Sequence, residues 1–272
     1  MTTKFILMSA CLLALTAQGE TLKVLWVGNS LTYFNKMPDM VTTAVNKASG
    51  IQLISTQSVS GGKDWSFHLG KSVDERYKDA LSPTLPHLQS KGSFDWVVIQ
   101  NHSMAATSEK YKFQEFGDEL IEKIRATGAE PLIYCTMSRR AGEKAYAAGD
   151  REKIIAAYET LAKRQNAVIA PVGQAWKIAQ EKGTDLDLFI KDGLHPNPVG
   201  GYLTACVFYS VFTGQSPVGI DLPRTIKFHP NTAGADGSTD VTLSDELADF
   251  LQQCAQQAMD ETKAKGFRVT IQ

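Results

Sequence analysis

Apolar positions along this chain follow two patterns that take turns. Short continuous apolar runs occupy residues 22–28, 51–59, 94–100, 131–137 and 167–172. Runs of that length, bounded by polar turns, predict strands covered on both faces, as in a parallel sheet. Between them lie stretches in which apolar residues recur every three or four positions, which predict helices. Met40, Val41, Ala44, Val45 and Ala48 form one such stripe, opened by Pro38 and closed by Gly50. Phe116, Leu120, Ile121 and Ile124 form another within 113–126, and Gly128 stops it. Ile154, Ile155, Tyr158 and Leu161 mark a further helix, residues 173–180 begin the next, and 199–212 make a strongly apolar one. Thr242 or Ser244 can cap a last helix, in which Leu247, Leu251, Cys254 and Ala258 share a face before Gly266 ends it.

This alternation of strand and helix favours an α/β fold, a parallel sheet between two helix layers with right-handed crossovers. Residues 65–92, interrupted by Pro83 and Pro86, read as partly helical. Residues 139–150 read as a polar loop with some helix, and 216–237, rich in Pro, Gly and Thr, as surface loop. No internal repeat, low-complexity tract or linker divides the chain, so 20–272 reads as a single domain.

The beginning reads differently. Lys4 precedes an apolar run over 5–17, and Ala17-Gln18-Gly19 presents small residues where a signal peptidase cuts. Residues 1–19 are therefore expected to be a secretory signal peptide, with the mature protein secreted or periplasmic. The run is too short for a comfortable transmembrane helix, so no integral membrane segment is expected after cleavage. Cys11, after Ser9 and Ala10, raises lipoprotein anchoring, but the apolar run continues past Cys11 instead of ending there. Cys135, Cys206 and Cys254 remain, an odd number at wide spacings that fits neither a disulfide framework nor a zinc site. They read as small buried hydrophobes, with one disulfide left open. The formal net charge of −1, without a basic cluster, argues against nucleic acid as a partner. No paired metal-ligand spacing occurs, and the expected chemistry uses no metal or cofactor.

Candidate chemistry begins at Gly28-Asn29-Ser30, where the first strand ends in a polar turn. In open α/β sheets ligands bind beyond the carboxyl ends of the strands. A serine there is a weak nucleophile until a base takes its proton, and the turn itself supplies none. Asp192 and His195, three residues apart in a Gly/Pro-bounded turn, can supply it. The carboxylate would accept from one imidazole nitrogen and leave the other facing the serine. Gly61-Gly62 follow the second strand and Gln100-Asn101 the third, so both pairs reach the same sheet edge. A glycine N–H and a side-chain amide there could hold a developing oxyanion.

Four segments, Val24 to Leu31, Ser60-Gly61-Gly62, Val97 to Asn101 and Asp192 to Pro196, together resemble the ordered blocks of the SGNH hydrolases, or GDSL esterase/lipase superfamily. The resemblance spans about residues 22–212. It implies a flavodoxin-like three-layer α/β/α sandwich, a parallel sheet of about five strands, and hydrolysis of esters. It implies Ser30 as nucleophile, His195 as base and Asp192 as its orienting carboxylate. The oxyanion hole would combine the Ser30 N–H, an N–H of Gly61 or Gly62, and the side chain of Gln100 or Asn101. The first block carries Asn29 where the name-giving form has Asp, and the third reads Gln100-Asn101-His102-Ser103 in place of Gly-x-Asn-Asp. Tyr33, Phe34, Trp65, His68 and His102 could form a sugar-stacking or acyl-binding wall, while His87 and His229 show no partner pattern. The expected substrate is a small-molecule or glycan ester, with a short acyl group such as acetyl on a carbohydrate. Two alternatives stand beside it, a lipase or thioesterase for longer chains and a non-catalytic glycan-binding protein of the same fold.

Overall fold

A computed structural model describes residues 19–272 apart from Ser49, Thr184, Asn231 and Ala235. Residues 1–18 of the expected leader, Cys11 among them, lie outside the described residues. Five parallel strands form the central sheet: β1 (Thr21–Gly28), β2 (Gln52–Val59), β3 (Trp96–Ile99), β4 (Glu130–Tyr134) and β5 (Val168–Ala170). Their order is β2-β1-β3-β4-β5, the doubly wound arrangement whose switch point lies between β1 and β3. β1 pairs with β2 from Thr21↔Gln52 to Gly28↔Val59, and with β3 from Val24↔Trp96 to Val27↔Ile99. Val24 to Val27 are at most 1% exposed, as the continuous apolar run requires of a central strand.

The helices are α1 (Ser30–Tyr33), α2 (Met37–Ala48), α3 (Trp65–His68), α4 (Phe113–Ala126), α5 (Asp150–Gln165), α6 (Val172–Lys182), α7 (Pro198–Thr213) and α8 (Asp245–Ala264). α2, α6 and α7 cover one face, with α8 packed across α6 and α7, and α4 and α5 cover the other. α7 is buried along its whole length, so it carries apolar residues all round instead of a stripe. Trp26 on β1 meets Phe208 and Phe212 of α7 edge to face at 4.9 and 5.9 Å. Across the sheet, Trp65, Phe113 and Tyr158 form a second aromatic cluster.

Two readings change. The stretch expected to be plain surface loop contains β6 (Thr225–Lys227), which pairs antiparallel with β7 (Asp240–Thr242). Each strand is three residues long, and Ile226 is the one buried side chain of β6, so there is no period for a sequence pattern to show. The last helix is capped by Ser244 and not Thr242, the Ser244 hydroxyl accepting from the Leu247 N–H at 3.2 Å. Cys135, Cys206 and Cys254 are buried and free. Among the described residues no helix is long and apolar enough to cross a membrane.

Candidate active site

β1 runs straight into the site. Its last residue, Gly28, leads to Asn29, whose side chain caps α1 by accepting from the Leu31 N–H at 3.1 Å. Ser30 is the first residue of that one-turn helix, where an N–H has no intrahelical acceptor. Asn29 is held from two further sides. Its Nδ2 donates to the Lys63 carbonyl, and its N–H donates to Gln100 Oε1, both at 2.8 Å.

The second half of the site comes from the turn before α7. Asp192 Oδ1 accepts from the N–H groups of Leu194 and His195, both at 2.9 Å, which closes the turn. Asp192 Oδ2 lies 2.6 Å from His195 Nδ1, and His195 Nε2 lies 2.7 Å from Ser30 Oγ. With the carboxylate ionised, the imidazole proton sits on Nδ1 and Nε2 accepts from the serine hydroxyl. Burial alone would raise the Asp192 carboxyl, but hydrogen bonds from the His195 ring and from the His195 and Leu194 N–H groups bring it below the usual carboxylate range. Residues 165 apart in sequence thus form one hydrogen-bond relay at the sheet edge.

Asn35 ties the two halves together. It sits in a left-handed conformation (φ 55°) between α1 and α2, a region that asparagine enters more readily than most residues. Its Nδ2 donates to the carbonyls of Pro196 and Asn197 at 3.0 and 2.9 Å. Asn197 in turn caps α7 through the Gly200 N–H at 3.0 Å. Phe34 stacks on the His195 ring at 4.2 Å and 13°, and its other neighbour is His229, also at 4.2 Å, delivered by the segment after β6. Neither Asn35 nor the partnership of Phe34 with His229 was visible in the sequence. The only signal for Asn35 was an asparagine followed by a lysine at a helix boundary, a common pair.

A cavity of about 120 Å³ opens at the serine, lined by Asn29, Ser30, Leu31, Gly62, His102, Ser103, Leu194 and His195. Gly62 reaches it from the turn after β2, closed by the Lys63 N–H on the Ser60 carbonyl, at a φ of 66° that glycine adopts without strain. Gly61 is not among the lining residues and lies under Tyr33 instead. The two amides after β3 also part ways. Gln100 is 0% exposed, its oxygen accepts from Asn29 N–H and Thr32 Oγ1, and its nitrogen donates to the Asn101 carbonyl. The oxygen and one of the two N–H bonds of Gln100 are thus used beneath the turn. Asn101 Oδ1 accepts from the Trp65 and His102 N–H groups at 3.1 and 2.8 Å, which fixes the orientation of the amide, and its buried Nδ2 has no partner among the described residues.

Of the expected wall, His102 lines the cavity, stacked on Tyr111 at 5.0 Å with Nδ1 accepting from the Met104 N–H. Burial, and then the charge of Arg139, hold its pKa below the ordinary histidine value. Trp65 and His68 do not belong to it. Both are 0% exposed. α3 turns the Trp65 ring inward onto Phe113 and Tyr158, and His68 bridges the Gly28 carbonyl and Thr84 Oγ1 at 3.0 and 2.7 Å. Nearness to Gly61-Gly62 in sequence placed them at the site, and the inward face of α3 removes them.

No protein-family model and no curated protein matches the sequence. Solved structures do. A chain from Slackia heliotrinireducens described as a candidate SGNH hydrolase is 27% identical, over 72% of this chain and 100% of its own, with a TM-score of 0.59. This chain is related to the SGNH hydrolases. A DUF4886 family protein from Bacteroides uniformis superposes over 92% of this chain and 98% of its own, at 16% identity and a TM-score of 0.65. An acetyl xylan esterase shares the fold over 70% of this chain and 98% of its own, at 17% identity and a TM-score of 0.51. The SGNH-like blocks all end at the sheet edge described above, after β1, β2 and β3 and before α7.

Proposed function

We propose that this protein is a secreted serine esterase that removes short acyl groups, acetyl foremost, from carbohydrate esters. The observation that carries the reading is the unbroken relay from Asp192 through His195 to Ser30, at 2.6 and 2.7 Å. His195 Nε2 takes the hydroxyl proton as Ser30 Oγ attacks the ester carbonyl carbon. Asp192 holds the resulting imidazolium. Charge developing on the carbonyl oxygen meets the N–H groups of Ser30 and Gly62 and the unpartnered Nδ2 of Asn101. The tetrahedral intermediate expels the alcohol, which takes its proton from His195. Water then attacks the acyl-enzyme with His195 again as base, and releases the carboxylic acid and the free serine.

The small cavity supports a short acyl group. At about 120 Å³ it falls below the roughly 300–1,000 Å³ of sites that enclose drug-sized ligands, and a long acyl chain needs comparable room. The leader expected over residues 1–19, and the fold shared with an acetyl xylan esterase, support a glycan ester met outside the cytoplasm.

The test is a series of 4-nitrophenyl esters of rising chain length with wild type and Ser30→Ala. Activity should peak at acetate, and Ser30→Ala should lose about 10³-fold or more in kcat. A folded Ser30→Ala protein that hydrolyses acetate at the wild-type rate would overturn the mechanism, and a peak at long chains would move the protein to the lipases or thioesterases. Glycan binding without turnover, with no fluorophosphonate labelling of Ser30, would favour the non-catalytic reading.

A further inference from the structure

Two consecutive arginines follow β4 and meet opposite fates. Arg140 is tied into the fold: its Nη2 donates to both Asp187 oxygens at 2.9 and 2.8 Å and to the Ile190 carbonyl at 3.1 Å. Arg139 has no acidic partner among the described residues. The one hydrogen bond of its guanidinium to those residues runs from Nη2 to Ser103 Oγ at 3.2 Å, and its Nε is buried without an acceptor among them. Ser103, the acceptor, lines the cavity that opens at Ser30.

The surroundings leave that guanidinium without a carboxylate in direct contact among the described residues. Arg139 and Lys110 act on the neighbouring His102 with the same sign, and Asp64 opposes them. Asp64 makes its hydrogen bonds to Ser66 Oγ and the Phe67 N–H and not to Arg139, so it acts on this corner through its charge without touching the guanidinium. A partly buried guanidinium that makes no direct ion pair has N–H donors to spare for an anion. A planar fork of N–H donors beside a ligand cavity is suited to a carboxylate, which it can meet with two parallel hydrogen bonds.

We propose that Arg139 forms an anion subsite beside the Ser30 cavity, and that the preferred substrate is an ester of an acidic sugar whose carboxylate this guanidinium holds. The proposal rests on the esterase reading for turnover, but the subsite itself is a binding claim. The bond to Ser103 sets Nη2 next to a residue that lines the cavity, and the substrate carboxylate supplies the direct ion pair that the fold does not.

The experiment compares O-acetylated methyl glucuronide with O-acetylated methyl glucoside, using wild type, Arg139→Gln and Arg139→Lys. Wild type should favour the acidic ester in kcat/KM. Arg139→Gln should shrink the acidic-to-neutral ratio roughly 10- to 150-fold, the worth of hydrogen bonds to a charged group, and Arg139→Lys should fall between. A purely structural arginine would lower both substrates together and leave the ratio unmoved, and that result overturns the subsite, as does a wild-type ratio near one. Calorimetric binding of glucuronate and of glucose to Ser30→Ala separates the two readings. If no ester is hydrolysed yet glucuronate binds in an Arg139-dependent way, the esterase reading fails and the subsite stands. If the neutral ester is hydrolysed through Ser30 and glucuronate binds no better than glucose, the reverse holds.

Discussion

At the scale of single residues, the proposed base is positioned by a ring as well as by a carboxylate. A hydrogen bond from Nδ1 to Asp192 fixes one atom of His195, but leaves the ring free to pivot about that bond. Phe34 supplies the plane, stacked at 4.2 Å and 13° and backed by His229 at 4.2 Å and 17°. Such ring pairs contribute about 0.5–1.5 kcal/mol beyond burial. Phe34→Leu, which fills space without a flat face, is therefore expected to lower kcat on 4-nitrophenyl acetate roughly 2- to 10-fold; a lower Tm with unchanged kcat would reduce Phe34 to packing. Ser30, Asp192 and His195 were legible as candidates because each sits in a turn whose glycine or proline marks it. The choice between Gln100 and Asn101 was not legible. Both are amides at the end of β3, and period-two alternation sends them to opposite sides without saying which side meets the cavity. His229 was illegible for another reason: its partner Phe34 lies 195 positions away on a different element.

At the scale of elements, the junction of β1 with α1 depends on a close approach that only glycine permits. A Cβ on Gly28 would lie 2.5 Å from Gln100 Oε1 and 2.7 Å from Thr32 Oγ1. Those two groups hydrogen-bond each other, and the same Gln100 oxygen receives the Asn29 N–H. Gly28→Ala must displace Gln100 and loosen the turn that carries Ser30. The expected cost is on the order of 1–3 kcal/mol in stability, with a fall in kcat larger than that in an Ala substitution on an exposed loop. Urea unfolding together with steady-state kinetics checks both, and a variant with wild-type stability and kcat would show that the packing here yields easily. The same junction explains which elements the sequence revealed. The central strands and the striped helices have enough length for their period to show, as α4 does over Phe113–Ala126. The β6–β7 pair does not, since three residues on each side carry no period and 12 residues separate them. It is nonetheless this pair that anchors the segment bearing His229.

At the scale of the whole molecule, the proposed chemistry is coupled to acid stability through His68. The sheet order brings the ends of β1, β2 and β3 together, and His68 fastens that corner from the layer of α3. Its Nε2 must donate to the Gly28 carbonyl, so Nδ1 accepts from Thr84 Oγ1, and Thr84 accepts in turn from Ser58 Oγ at 2.9 Å. The network thus holds a neutral ring that is 0% exposed. Burial pushes its pKa down from 6.5 to about 4, against a smaller upward pull from the Gly28 carbonyl. An unfolded chain binds the His68 proton at about pH 6.5, and the folded chain only near pH 4. Between those values the unfolded state binds more protons, so stability rises with pH across the window. The contribution is fully present above about pH 6.5, is lost as pH falls towards 4, and totals on the order of 3 kcal/mol. His102 and His229, whose pKa values are also lowered, add losses of the same sign. The discriminating measurement is therefore a difference: urea unfolding of wild type and His68→Gln at about pH 7 and about pH 4.5. Gln can keep a donor towards Gly28 and an acceptor towards Thr84, but it does not titrate. The variant should start less stable at neutral pH and lose about 2–3 kcal/mol less than wild type on acidification. Equal losses in the two proteins would mean that the buried imidazole does not set the acid limit of this corner.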